Sequence, residues 1–174
     1  EAMPGPVFCS GDRLTVRVAT PDDADFVATH WNRPEIRRYT HQHDPQSAAE
    51  VREWLAEDQD DFVDFLPCRD GDPVGFAWAF DIDDVAGSAE IGYWICADER
   101  GQGYATETVA LLAEWAVHDR QLYRLQARVF EGNEASMRVL EKAGFEREGR
   151  LREAYRVEGE RVDATIYGLL ADEY

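Results

Sequence analysis

The chain of 174 residues is 44% hydrophobic and 31% charged, a composition typical of one globular domain with a sizeable core. Its apolar runs are shorter than the ~18 residues that span a bilayer, and no secretory signal pattern opens it, so we expect a cytoplasmic protein without a membrane span. With 36 acidic and 18 basic residues, the net charge of −18 argues against a nucleic-acid partner, which would require a basic surface.

The acidic residues are spread along the chain from Asp12 to Glu173, and Lys142 is the only lysine. This spread favours a surface adapted to high salt, because salt-adapted proteomes place Asp and Glu over the whole protein surface and avoid lysine. Attraction of a cationic substrate, such as a polyamine or a basic peptide, is the alternative. At extreme salt the Debye length shrinks to ~3 Å or less, so an acidic surface could still admit an anionic cofactor.

The first third of the chain is predicted to form a strand followed by helices, after a poorly ordered N-terminal extension. Thr20 and Pro21 supply an N-cap and a proline suited to the first helical turn. Ser47 and Glu50 form a capping box before an amphipathic helix. The predicted ranges are 1–12 for the extension, 14–18 for the strand, and 21–31, 36–39 and a segment from 47 onward for the helices.

From residue 62 onward, β-rich runs alternate with two predicted helices. The turn at residues 70–73 lies between two β-rich runs and predicts a hairpin, and Gly144 is placed to end the second helix. No repeat or long linker divides the chain, so we expect one domain over residues 13–174. The predicted strands are 62–68, 74–82, 90–96, 122–130, 145–157 and 162–170, and the helices begin near 103 and span 133–143.

The three cysteines, Cys9, Cys68 and Cys96, are widely separated and form no CxxC pair. This spacing argues against a disulfide framework and against a zinc site, so we expect reduced thiols and no metal. Cys96 precedes a glycine-rich loop and could serve as a nucleophile, but its apolar surroundings favour a buried small hydrophobe.

The glycine-rich loop is Arg100-Gly101-Gln102-Gly103-Tyr104-Ala105, between a predicted strand and a predicted helix. Its glycines allow backbone conformations that turn successive N–H groups inward, and the helix behind them adds its positive dipole end. Arg100 adds a charged donor that suits a pyrophosphate. A Gly-x-Gly loop alone is weak support, because it could also be a tight strand-to-helix turn.

Two other nucleotide-binding motifs do not fit this loop. A P-loop needs a lysine directly after its second glycine, and the only lysine of the chain is Lys142. The dinucleotide fingerprint needs a third glycine where the chain has Thr106.

The segment around the loop resembles the GNAT acetyltransferases. The loop is similar to the family signature Arg/Gln-x-x-Gly-x-Gly/Ala, and the resemblance runs from about residue 13 to the end. It is strongest with the RimJ/RimL-like branch, named for ribosomal-protein-alanine acetyltransferases. The other matching segments are Trp31-Asn32 through Tyr39, Glu90-Ile91-Gly92-Tyr93-Trp94, Asn133-Glu134-Ala135-Ser136, Leu140-Glu141-Lys142-Ala143-Gly144-Phe145, Gly149-Arg150-Leu151-Arg152 and Asp163 through Leu170.

The resemblance implies an α/β (α+β) GNAT fold with acetyl-CoA as cofactor and no metal. The expected sheet is mixed, mostly antiparallel, of about seven strands with about four helices. It splays open after the strand ending at Cys96, so that backbone groups of Trp94 to Cys96 pair with pantetheine. Asn133 would bond the pantetheine or adenine side, although an Asn before a helix is also an ordinary N-cap. The expected cofactor-binding residues are Trp94, Ile95, Cys96, Arg100, Gly101, Gln102, Gly103, Tyr104, Ala105, Thr106, Asn133 and Ser136.

The implied chemistry is direct acetyl transfer from acetyl-CoA to a primary amine in a ternary complex. The N–H near Ile95 or Cys96 would stabilise the oxyanion. Many relatives protonate the thiolate with a Tyr seven residues after the Asn, but that position is Leu140, so Ser136 is the candidate acid. Glu90 is the candidate base, directly or through water; the simpler alternatives are a helix-face contact for Ser136 and a solvated strand end for Glu90.

The acceptor favoured by the branch is the N-terminal α-amine of a protein or peptide, which is partly neutral near pH 7 and needs only a mild base. Trp31, Tyr39 and Tyr155 would line the acceptor side, although aromatic residues are often core. A polyamine or aminoglycoside acceptor and a non-catalytic acyl-CoA sensor are alternatives. An exposed last strand could pair with a second copy as a homodimer.

Overall fold

A single nine-stranded sheet runs through residues 4–174, the part of the chain that the computed structural model describes. The strands are β1 Val7–Ser10, β2 Thr15–Val18, β3 Val63–Arg69, β4 Asp72–Pro73, β5 Gly75–Asp83, β6 Ser88–Ile95, β7 Arg124–Phe130, β8 Glu146–Val157 and β9 Glu160–Leu170. Their order is β1-β2-β3-β5-β6-β7-β9-β8, and the short β4 pairs with β3. All pairs are antiparallel except β6 with β7.

Five α-helices accompany the sheet within the same residues: α1 Ala24–Trp31, α2 Pro34–Arg37, α3 Ala48–Ala56, α4 Tyr104–Glu114 and α5 Glu134–Lys142. The capping box of α3 is present, because Ser47 Oγ accepts from Glu50 N at 3.2 Å and a Glu50 carboxylate oxygen accepts from Ser47 N at 2.8 Å. A π-helical turn, Trp115–Asp119, continues α4. None of these helices is long and apolar enough to cross a bilayer.

The two larger of three hydrophobic clusters in the described part of the chain lie against the sheet. One contains Leu112 of α4, Leu140 of α5 and Leu125 of β7. The other contains Val27 of α1 and Phe76 of β5, together with the buried free thiols of Cys68 and Cys96. Burying one such aliphatic side chain contributes about 1.5–3 kcal/mol, so both layers hold the helices to the sheet.

The N-terminal segment differs from the predicted poorly ordered extension. Val7–Ser10 forms β1 and pairs with β2 through Val7↔Arg17, Cys9↔Val16 and Ser10↔Thr15. A four-residue segment carries almost no periodic signal of its own, and it becomes a strand only through its pairing with β2. The part of the predicted extension at residues 1–3 lies outside the described residues. With the two-residue β4, β1 accounts for the difference between about seven strands and nine.

The last strand is not at an edge of the sheet. β9 lies between β7 and β8, so the exposed edge at this end is β8. The prediction of an exposed last strand is therefore wrong, and at this end of the sheet strand pairing with a partner chain would have to use β8.

The sheet opens between its two parallel strands. β6 and β7 share only the pairs Ser88↔Arg124, Ala89↔Leu125 and Glu90↔Gln126. Beyond Glu90, β6 continues beside β5 alone, which leaves one side of its backbone facing a gap. The opening therefore begins within β6 and not after Cys96, and it positions the two cavities described next.

Candidate functional site

A cleft of about 660 Å³ lies between the end of β6, the loop before α4 and the facing side of α5. Most of the predicted cofactor residues line it, whereas Cys96 and Gln102 do not. Those that line it are Trp94, Ile95, Arg100, Gly101, Gly103, Tyr104, Ala105, Thr106, Asn133 and Ser136.

The loop before α4 has the geometry of an anion cradle. Gly101 and Gly103 adopt φ values of +76° and +84°, a region that is unfavourable for residues with a Cβ. α4 begins at Tyr104, directly after them, so its first unpaired N–H groups and positive dipole end lie at the cleft. The loop therefore fits a pyrophosphate.

Arg13 braces this loop from the start of β2, which sequence reasoning missed. Its guanidinium donates to Gln102 O and to Glu107 Oε2, the latter at 3.1 Å. Glu107 Oε1 also accepts from the backbone N of Arg13 and of Leu14, at 2.8 and 2.9 Å. Burial opposes ionisation of Glu107, but these hydrogen bonds and the Arg13 charge outweigh it and lower the pKa of the carboxyl. The contacts span 89 to 94 residues, so no local pattern predicts them.

Arg100 connects both walls of the cleft. Its Nε donates to Ile95 O at 3.2 Å, and its Nη2 donates to Glu35 O in α2 at 3.3 Å. The side chain predicted to bind pyrophosphate thus holds the end of β6 close to α2.

Strand alternation decides which backbone groups of β6 face the gap. Cys96 N donates to Val74 O at 2.8 Å, and Trp94 pairs with Phe76, so even-numbered residues of this strand bond to β5. The backbone groups of Tyr93 and Ile95 point to the opposite side, into the gap.

The prediction that the backbone groups of Trp94 and Cys96 pair with pantetheine is therefore wrong. Both Cys96 groups are engaged, because its carbonyl accepts from Glu99 N at 2.9 Å. Of the three predicted residues, Ile95 retains a backbone N–H on the open side, and Tyr93 joins it. The open backbone groups of these two residues face the gap, where the pantetheine arm and its acetyl group would lie.

A second cavity, of about 450 Å³, meets the cofactor cleft. All three predicted acceptor residues, Trp31, Tyr39 and Tyr155, line it. The two cavities share Tyr39, Thr40, Tyr93, Asn133 and Ser136, and these side chains mark the junction where transfer can occur.

Aromatic rings form much of the second cavity. Phe130 and Tyr155 stack with centroids 4.2 Å apart, and His41 packs edge-on against Tyr155 at 4.5 Å. Burial and the nearby charge of Arg128 lower the pKa of His41, which keeps its imidazole neutral near pH 7. Trp31 is also a core residue, with 8% exposure and a hydrogen bond from Nε1 to Thr40 Oγ1 of 3.1 Å.

Glu90 is buried in the wall of this cavity and is not a solvated strand end. It is 7% exposed, and its Oε2 accepts from Gln126 Nε2 at 3.0 Å and Arg128 Nε at 3.1 Å. Burial raises the pKa of Glu90, and the charge of Arg128 opposes that shift only in part. A buried carboxylate with a raised pKa is suited to accept a proton.

Ser136 lies at the junction of the two cavities. Its backbone N donates to Asn133 Oδ1 at 3.4 Å, so Asn133 is the N-cap of α5 as well as a cleft residue. Its Oγ lies 2.6 Å from the hydroxyl of Tyr93, a contact that sequence reasoning missed. Leu140, where many relatives carry a tyrosine, is fully buried.

No metal centre accompanies these groups. Within residues 4–174, no three His, Cys, Asp or Glu side chains are grouped to hold a metal ion.

The chain is similar to known acetyltransferases over almost its whole length. A profile of the acetyltransferase (GNAT) domain matches residues 13–146. Uncharacterized N-acetyltransferase p20 of Bacillus licheniformis is 28% identical over 170 residues, which cover 94% of this chain and 96% of the relative.

Two solved structures share the fold. The spermidine N-acetyltransferase from Vibrio cholerae, in complex with CoA and spermine, has a TM-score of 0.89 at 21% identity and covers 94% and 99% of the two chains. RimL, a ribosomal L7/L12 alpha-N-protein acetyltransferase in complex with coenzyme A, has a TM-score of 0.86 at 18% identity and covers 97% and 100%. The predicted fold and cofactor are confirmed, and the chain belongs to the GNAT family of acetyl-CoA-dependent N-acetyltransferases.

Proposed function

We propose that this enzyme acetylates the N-terminal α-amine of a protein or peptide, by direct attack within a ternary complex. The observation that supports this most is the aromatic acceptor cavity, which joins the cofactor cleft at Tyr93 and Ser136. The RimJ/RimL-like branch is part of the same proposal, since RimL acts on the α-amine of a ribosomal protein. The three cysteines are free thiols, which supports a reducing, cytoplasmic location.

The charges in the cavity favour an acceptor with one amine over a polycation. Its carboxylates are Asp81 and Glu90, and Glu90 is already paired with Arg128. A polyamine or aminoglycoside would bring several positive charges against one arginine and one unpaired carboxylate. A peptide N-terminus brings a single amine, and its first side chain can contact the aromatic wall.

Three residues at or near the junction would each contribute one part of the chemistry. Acetyl-CoA supplies the activated acetyl group as a thioester. Glu90 takes the amine proton, directly or through water. The N–H of Ile95 donates to the negative charge that develops on the acetyl oxygen; the Cys96 N–H is excluded because it donates to Val74. Ser136 gives its hydroxyl proton to the departing sulfur.

A panel of acceptors tests the proposal. Thiol release from acetyl-CoA is measured with peptides bearing free or blocked N-termini, spermidine and an aminoglycoside, and mass spectrometry locates the acetyl group. We expect acetylation of free peptide N-termini and none of blocked peptides that lack lysine.

Acetylation of only spermidine or the aminoglycoside would reassign the enzyme to small amines. The Vibrio cholerae relative makes that the leading alternative. Thiol release at background with every acceptor, together with a melting temperature raised by CoA, would indicate a sensor.

A further inference from the structure

Two hydroxyl groups meet where the cofactor cleft joins the acceptor cavity. The phenol oxygen of Tyr93 lies 2.6 Å from Ser136 Oγ and 3.4 Å from Ser136 O. Tyr93 comes from β6 and Ser136 from the first turn of α5, so the contact bridges the opening of the sheet. Both side chains line both cavities.

The direction of this hydrogen bond decides where the serine proton points. A serine hydroxyl rotates freely and can donate only one proton. If Ser136 donated to Tyr93, no proton would be available to the cofactor. If Tyr93 donates to Ser136 Oγ, the serine O–H is free to point elsewhere, into the cleft.

The surroundings of Tyr93 keep it a donor. Burial raises the pKa of its phenol well above the ordinary value, so the hydroxyl remains protonated near neutral pH and has a proton to donate. The phenol has a single proton to donate, and of its two contacts the one to Ser136 Oγ, at 2.6 Å, is much shorter than the one to Ser136 O, at 3.4 Å, so Oγ is the better acceptor for that proton. The helix position is fixed too, because Asn133 caps α5 through Ser136 N.

We infer that Tyr93 is a positioning residue for the acid step: its phenol donates to Ser136 Oγ and turns the serine proton toward the departing sulfur. This inference rests on the proposed role of Ser136. As the C–S bond breaks, its electron pair stays on sulfur, which takes the Ser136 proton. The Tyr93 hydrogen bond stabilises the charge left on Ser136 Oγ. The proton removed from the amine by Glu90 returns to Ser136 through water, so protons balance.

The experiment compares Tyr93→Phe with a matched control. Tyr167 is also buried, and its hydroxyl donates to Glu141 Oε1 at 3.0 Å, outside both cavities. We expect Tyr93→Phe to lower kcat roughly tenfold or more, with KM for both substrates within about twofold. Tyr167→Phe should keep the wild-type kcat. The CoA-induced rise in melting temperature should persist in both variants, which checks folding and binding without acetyl transfer.

The double variant distinguishes positioning from an independent role. Because Tyr93 acts through Ser136, adding Tyr93→Phe to Ser136→Ala should lower kcat no further. Losses that multiply in the double variant, or a wild-type kcat in Tyr93→Phe, would overturn the inference and leave the proposed acid standing. A wild-type kcat in Ser136→Ala would remove the serine from the mechanism, and the inference with it. Ser136→Thr, which retains a hydroxyl, should keep activity only when Tyr93 is present.

Discussion

Glu90 experiences two opposing influences on its proton. Burial raises its pKa, and Arg128, 3.1 Å away, stabilises the ionised form. The net shift is upward, so Glu90 becomes protonated at a higher pH than an exposed glutamate. Because the base must be ionised to accept the amine proton, activity should decrease as the pH falls through this raised pKa.

Glu90→Gln should lower kcat roughly 100-fold and remove the acid limb of the pH profile of kcat/KM. The matched control is Glu148→Gln, since Glu148 is also paired with an arginine, Arg124 of β7, but lies outside both cavities. An acid limb that survives unchanged in Glu90→Gln would show that another group, such as His41, is the base.

Asp64 in β3 is a partly buried carboxylate outside both cavities. Its Oδ1 has no hydrogen-bond partner among the described residues, and burial raises its pKa from 3.8 to about 7. The native state therefore holds this proton more tightly than the unfolded chain does. As the pH rises from about 4 to about 7, Asp64 ionises in the unfolded chain but stays largely protonated in the native state, so the free energy of unfolding decreases.

Asp64→Asn should raise the free energy of unfolding at pH 8 by roughly 2–4 kcal/mol and have much less effect near pH 5. Urea denaturation at the two pH values measures the difference. An equal change at both would mean that the ionisation of Asp64 does not influence stability.

At the residue level, the sequence identified side chains that line one cavity better than it identified their hydrogen-bond partners. Glu90, Ser136, Trp31, Tyr39 and Tyr155 all line the acceptor cavity. Their partners are far away in sequence, as with Tyr93 and Ser136, which are 43 residues apart. Such contacts depend on how strands and helices are arranged and leave no local pattern.

The proposed pyrophosphate site in the loop before α4 depends on the backbone conformation of its glycines. Gly101 adopts φ +76°, and no other atom lies within 4 Å of where a Cβ would be. An alanine there would meet no clash but would disfavour the backbone conformation by roughly 1–2 kcal/mol. The loop could relieve that strain by moving its N–H groups away from the anion.

Gly101→Ala should weaken CoA binding about fivefold to tenfold by titration calorimetry, because part of that strain is released when the loop leaves the binding conformation. Gly71→Ala is the matched control: Gly71 has φ +93° and equally open surroundings, in the turn between β3 and β4. Gly71→Ala should lower the free energy of unfolding about as much as Gly101→Ala does, and it should leave the CoA affinity unchanged. Equal CoA affinity in both variants would mean that the loop does not hold the pyrophosphate.

Elements with turn or cap residues were predictable, and elements defined by pairing were not. The turn after β3, the capping box of α3 and the end of α5 at Gly144 have local chemical causes. β1 has none, because its four residues become a strand only beside β2. The same applies to the opening of the sheet, which depends on where β6 and β7 separate.

Across the whole molecule, the net charge of −18 works against compactness. Several arginines are paired with carboxylates, but these ion pairs neutralise only part of the 36 acidic side chains. Salt screens the remaining repulsion over a Debye length that falls to ~3 Å at 1 M. If the acidic surface mainly causes repulsion within the protein, added salt should increase stability and activity. If it attracts a cationic acceptor, added salt should decrease kcat/KM.

If the acidity is an adaptation to salt, the melting temperature should rise between about 0.05 M and about 1 M NaCl, and so should kcat/KM for a peptide without charged side chains. Differential scanning fluorimetry and steady-state kinetics in the same buffers measure them. A kcat/KM that declines steeply with salt would instead indicate electrostatic attraction of the acceptor.

Lys142, the only lysine, is exposed on α5 and borders the cofactor cleft. The other permanently positive side chains are arginines, whose guanidinium groups stay protonated and do not attack thioesters. A protein that stores a reactive acyl donor risks acylating its own surface. In this chain only one lysine is open to such a reaction, and it lines the cofactor cleft, so we expect any acylation of the enzyme's own lysine side chains at Lys142.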